Sequence, residues 1–138
     1  MCELRFDSAS EAVDLLKGHG FKVLGEIVDP ANFGNAYVDL KRKNVRVRIV
    51  RDRDEHFVQI GSSAEPEKWV SASLVLQLLN VREIEPRQLQ ASAALNLVRM
   101  IVGVVDQLES VFSKSEWPRT SEKLKELQLR RRKERLGF

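Results

Sequence analysis

Two aspartates and a lysine pose the sharpest chemical question in this chain: Asp29, and then Asp39-Leu40-Lys41. Carboxylates on neighbouring strands can hold a divalent ion that stabilises charge developing on phosphorus, while the lysine orients the attacking water. Glu11 could add an acid from a helix, completing a metal-dependent nuclease site. That chemistry requires a helical crossover to a parallel strand after the lysine. Here Lys41-Arg42-Lys43-Asn44 reads instead as a tight turn into an antiparallel partner, and Asp39 has a candidate mate in Arg46. A second acidic pair, Asp52 and Asp54, sits in an Arg-Asp-Arg-Asp turn that largely neutralises itself.

Other chemistries find less support. Cys2, His19 and His56 lie far apart, with no CxxC or HExxH spacing for zinc. The glycines of GHGFKVLG do not form GxGxxG, and they follow a helix rather than a strand. There is no Walker loop, no GxSxG elbow and no cysteine nucleophile beside a histidine. We therefore read the chain as non-catalytic, with no metal and no cofactor.

The chain has 138 residues, of which 43% are hydrophobic and 31% charged, an ordinary balance for one globular domain spanning 1–138. Its single cysteine excludes an internal disulfide and suits a reducing compartment. The start MCELRF carries charge where a secretory signal would be apolar, and the most apolar stretch, LNLVRMIVGVV, is too short to span a bilayer. These features point to the cytoplasm and away from membranes. The net charge of +3 is unevenly distributed: from Arg119 onward eight basic residues face three acidic ones, leaving fifteen basic against seventeen acidic in 1–118. The body is nearly neutral, and the basicity belongs to a C-terminal helix over about 119–138.

The elements that would position these groups follow from periodicity. Ser8-Ala9-Ser10-Glu11 has the form of a capping box, and the helix it opens is stopped by Gly18 and Gly20. A strand over 21–28 ends at Asp29-Pro30. Residues 36–60 then alternate as an antiparallel meander of three or four strands in all. A turn at KRKN pairs Leu40 with Val45, setting Asp39 opposite Arg46 and Tyr37 opposite Arg48. Pairing Arg51 with His56 brings Val58 and Ile60 beside Ile49 and Val47. Three helices follow. The first covers 67–80 with Trp69 near its start. The second, 86–112, begins at Pro86 and is apolar except for a stripe of Ser92, Asn96, Arg99, Gly103, Asp106 and Ser110. It is central to the domain or part of a homodimer interface. Trp117-Pro118 breaks it, and Thr120 or Ser121 caps the last helix, which packs Leu124 and Leu127 and exposes RRRKER. The fold class is α+β.

Two surfaces remain for binding. The outer face of the meander carries Tyr37, Arg46, Arg48, Val50, Phe57 and Gln59, a mixture of rings, arginines and apolar area suited to a protein partner. Either one of the chain's own helices covers this face or a partner does. The other surface is the basic tail, Arg130, Arg131, Arg132, Lys133 and Arg135, which suits nucleic acid or an acidic partner, although no aromatic is interleaved to stack a base. On VRIVRDRDEHFVQIG and LESVFS the chain resembles small uncharacterised bacterial α+β proteins, some of which are similar to toxin-immunity proteins. The resemblance implies a protein that binds and neutralises a partner. The alternative is a nucleic-acid-binding accessory protein using the basic helix.

Overall fold

Alternating apolar and charged residues build the expected antiparallel sheet, with one strand more than the sequence pattern suggests. A computed structural model of the protein describes residues 8–29, 35–52, 55–79 and 93–136. Helix α1 (Ser8–Gly18) leads into β1 (Lys22–Asp29), β2 (Asn35–Arg42), β3 (Val45–Asp52), β4 (Glu55–Ser62) and the short β5 (Val70–Ser71). Helices α2 (Ala72–Leu78), α3 (Ala94–Gly103), α4 (Val105–Val111) and α5 (Trp117–Leu136) follow. The strands lie side by side in chain order, each antiparallel to the next. The class is α+β.

α1 ends as its glycines require. Gly20 adopts φ +88°, the Phe21 N–H donates to the Leu16 carbonyl at 3.1 Å, and the Gly20 N–H donates to Lys17 at 3.2 Å. Those two bonds satisfy the orphan carbonyls of the last turn, and both Leu16 and Phe21 join the core.

The β2–β3 hairpin corrects the expected register. Arg42 pairs with Val45 across a two-residue turn, so Leu40 faces Val47 and Val38 faces Ile49. The slip from the expected pairing is two residues, an even number, so every side chain keeps its face. Neighbours nonetheless change: Asp39 faces Arg48 rather than Arg46, and Tyr37 faces Val50 rather than Arg48. The shorter turn places Lys43 at φ 52°, a left-handed position usually marked by glycine or asparagine, which hid it in the sequence. The β3–β4 pairing agrees with expectation, with Arg51 opposite His56. Residues 53–54 of that turn lie outside the described set.

The inner sheet face buries Val38, Leu40, Val47, Ile49 and Ile60 completely or nearly so, in one core cluster with residues of all five described helices. The helical layer departs from expectation in three places. Residues 67–71 form a loop and β5 instead of the first turns of α2. The expected 86–112 helix is divided at Val104, with φ −125° and ψ 22°, because Gly103 is a poor helix former and two β-branched valines follow it. Its residues 86–92 lie outside the described set; within it, the stripe Asn96, Arg99, Gly103, Asp106 and Ser110 is exposed as expected. Third, Trp117-Pro118 opens α5 rather than breaking the chain before it, since a first-turn proline forfeits no helical hydrogen bond. Ser113 caps this end, its Oγ accepting the Glu116 N–H at 3.3 Å. Thr120 is no cap: its hydroxyl donates to the Val111 carbonyl at 2.7 Å.

Among the described residues, no helix is long and apolar enough to cross a membrane. Phe112 links the layers. It is fully buried, its ring lies 4.9 Å from that of Trp117, and its carbonyl accepts the buried Ser62 hydroxyl at 2.7 Å. Phe112→Ala is expected to lower unfolding free energy by about 3–5 kcal/mol in urea titrations, whereas Asn96→Ala on the exposed stripe changes it by about 0.5 kcal/mol or less.

Candidate interaction surface

The register sorts the outer sheet face into three cross-strand rows. Tyr37, Val50 and Phe57 form an aromatic and aliphatic row; Asp39, Arg48, Gln59 and Ser71 form a polar one; Lys41, Arg46 and Gly61 form the third. All six residues expected on this face are therefore brought together. Tyr37 and Val50 are half-buried, and Phe57 remains 45% exposed.

Arg48 organises the middle of the surface. Its Nε and Nη2 donate to the two carboxylate oxygens of Asp39 at 2.7 and 2.9 Å, a bidentate pair. The same guanidinium lies 4.1 Å from the Tyr37 ring centroid and 4.2 Å from that of Trp69. Arg46 lies 4.5 Å from Trp69 and donates to the Pro66 carbonyl at 2.6 Å. Arg48 thus contacts both rings and Arg46 the Trp69 ring, a ladder of contacts among two rings and two cations. The Asp39 hydrogen bond raises the Arg48 pKa above its ordinary value. Burial lowers that of Arg46, with Asp39 opposing the shift and Arg48 adding to it. Asp39 is committed to this pair, so the Asp39-Leu40-Lys41 motif is part of the ladder's bracing.

Trp69 was the residue that sequence reasoning misplaced. It lies over the outer face because residues 63–69 fold back from the end of β4 before β5 pairs beside it. Gly61 permits that return: a Cβ there would stand 2.8 Å from the Lys68 carbonyl oxygen and 3.3 Å from Arg46 Nη2. The loop is also tied to α5, through Trp117 Nε1 donating to Glu65 at 3.0 Å and Lys68 Nζ donating to Ser121 Oγ at 2.7 Å. The available sequence signal was a glycine at an outer-face strand position, which marks close backbone approach.

The basic segment is only partly the free arm expected. Arg131 is anchored on α2, its Nε donating to Gln77 Oε1 at 2.7 Å and its Nη1 to Ser73 Oγ at 3.1 Å. Arg130, Arg132, Lys133 and Arg135 are exposed. Arg131, Arg132 and Arg135 line a groove of about 430 Å³ between α5 and β5, with Lys68 and Trp69 on its other wall. An aromatic that is not interleaved among these arginines in sequence is thus supplied from a distant segment. Arg130 and Lys133 do not line this groove.

Comparison with protein families, curated proteins and solved structures finds no match for the chain.

Two measurements test this geometry. Gly61→Ala is expected to cost about 1–3 kcal/mol of stability, since the backbone of Lys68 must move and the Trp69–Arg46 contact opens with it. A double-mutant cycle between Asp39→Ala and Arg48→Ala, read by urea unfolding, is expected to give a favourable coupling of about 0.5–3 kcal/mol.

Proposed function

We propose that the protein is a non-catalytic interaction module that docks a protein partner on the outer face of its sheet. The supporting observation is the Tyr37–Val50–Phe57 row, apolar and aromatic, with Phe57 45% exposed on the face opposite the core. Among the described residues, what reaches over the adjoining rows is Trp69 from the 63–69 loop. An exposed aromatic beside rings and guanidinium groups already held in place loses little conformational entropy on binding, which is how hot-spot residues give much affinity from little area.

The geometry divides the labour differently from the sequence expectation. Arg46 and Arg48 are braced internally, so they stiffen the surface, while Tyr37, Val50, Phe57 and Gln59 offer the contact area. A preformed docking face of this kind suits a protein that neutralises a partner by covering it, the behaviour of immunity proteins. Phe57→Asp is the decisive substitution. With a partner co-purified from the native host and then identified and prepared on its own, the variant is expected to weaken binding by about 2 kcal/mol or more. Its melting temperature should stay close to that of the parent, because exposed strand positions change stability by only about 0.5 kcal/mol. Arg48→Ala should show the reverse emphasis, losing stability as well as binding. Unimpaired binding by a destabilised Phe57→Asp protein would assign the face to the chain's own packing.

A further inference from the structure

The groove between β5 and α5 has a chemistry independent of the sheet-face reading. Gln128, Arg131, Arg132 and Arg135 line one wall, and their i, i+3, i+4, i+7 spacing gives them one helix face. Lys68, Trp69, Val70 and Ser71 line the other. Four cations therefore border the groove against one carboxylate, Glu134, and none of the four makes an ion pair with a described residue. Two partly buried cations elsewhere are paired, Arg48 with Asp39 and Arg42 with Glu109, at 2.7 and 3.2 Å, whereas Arg46 meets neutral carbonyls. The groove keeps a positive balance, with Glu134 opposing only part of it.

Arg131 shows that this wall is built rather than merely solvated. Two of its nitrogens are fixed by neutral acceptors, Gln77 and Ser73, which orient the guanidinium without cancelling its charge. Its Nη2 is out of solvent and has no acceptor, and burial pulls its pKa below the ordinary arginine value. An anion entering beside it would relieve that electrostatic demand. Planar guanidinium forks match the oxygens of phosphate and carboxylate alike. The opposite wall decides between them. Trp69, held by Arg46 and Arg48 at 4.5 and 4.2 Å, lines a groove whose 430 Å³ suits a small molecule. An acidic side chain would use the arginines and leave the indole idle, whereas a phosphate joined to a planar base would use both.

We propose that the β5–α5 groove binds a nucleotide, its phosphate on Arg131, Arg132 and Arg135 and its base against Trp69. The same chemistry is offered by a free nucleotide and by one unit of a single strand. Fluorescence provides the test, because the chain has two tryptophans and the other, Trp117, is 3% exposed. AMP, ADP and an oligo-deoxythymidine strand are titrated into the full-length protein, with hexaglutamate as the acidic-peptide probe. Saturable quenching by the nucleotides is expected, and Arg132→Glu/Arg135→Glu should weaken it by roughly tenfold or more with an unchanged melting temperature, since both side chains are exposed. A strand that binds far more tightly than AMP, with affinity falling steeply as salt rises from about 50 to about 200 mM, identifies the ligand as single-stranded nucleic acid. Comparable affinities identify the free nucleotide. Absence of quenching by all three, quenching unaffected by the charge reversals, or binding of hexaglutamate in place of nucleotides overturns the proposal.

Discussion

Covering an arginine with an indole is the constraint on which the rest of this structure turns. A guanidinium withdrawn from water loses solvation that must be replaced, and an uncompensated charge in that position costs several kcal/mol. Arg48 is compensated on every side that the fold closes. Asp39 takes two of its nitrogens, and the Tyr37 and Trp69 rings lie against it. With that compensation in place, Trp69 can be laid over the sheet. With Trp69 fixed, the next residue, Val70, falls on the inner face opposite Ile60, and the chain crosses from one side of the sheet to the other within two residues. α2 begins at once, and its Ser73 and Gln77 then receive Arg131 of α5. A local charge pair thus propagates into the placement of the C-terminal helix.

The dependence also explains why β5 is so short. Its Val70–Ser71 pair is the whole of its contact with β4, because the chain is turning from the outer-face loop into a helix. Among the described residues, β5 pairs only with Gln59 and Ile60 of β4, and a groove lies between it and α5. The indole that braces the ladder is also a wall of that groove. One side chain therefore serves both candidate surfaces, one apolar and aromatic on the sheet, the other cationic at its edge.

Charge is handled differently in the two halves of the protein. In the sheet, arginines are paired or stacked and become rigid parts of the fold. Along α5 they are either exposed or held by neutral acceptors, so their field remains available to solvent and ligands. The near-neutral body and the +5 balance of the last twenty residues express that division at the level of composition.

Much of the sheet was legible without coordinates because strand alternation is a local property. A period of two assigns Val38, Leu40, Val47, Ile49, Val58 and Ile60 to one face whatever the exact turn, and a two-residue slip cannot disturb it. For the same reason the six outer-face residues were found, and the end of α1 was set by its own glycines. The partners of those outer residues were not legible. Whether Asp39 meets Arg46 or Arg48 depends on turn length, and Lys43 adopts a backbone conformation its side chain does not advertise. The break at Val104 is set by a competition between helix propensity and packing that periodicity does not register. Least legible was Trp69. Its contacts with Arg46 and Arg48 span more than twenty positions, and only tertiary folding, permitted by the missing side chain at Gly61, closes a loop of that kind. The sequence determined which residues face outward; the tertiary structure decided which of them touch, because pairing across a fold depends on chain reversals whose geometry no local pattern encodes.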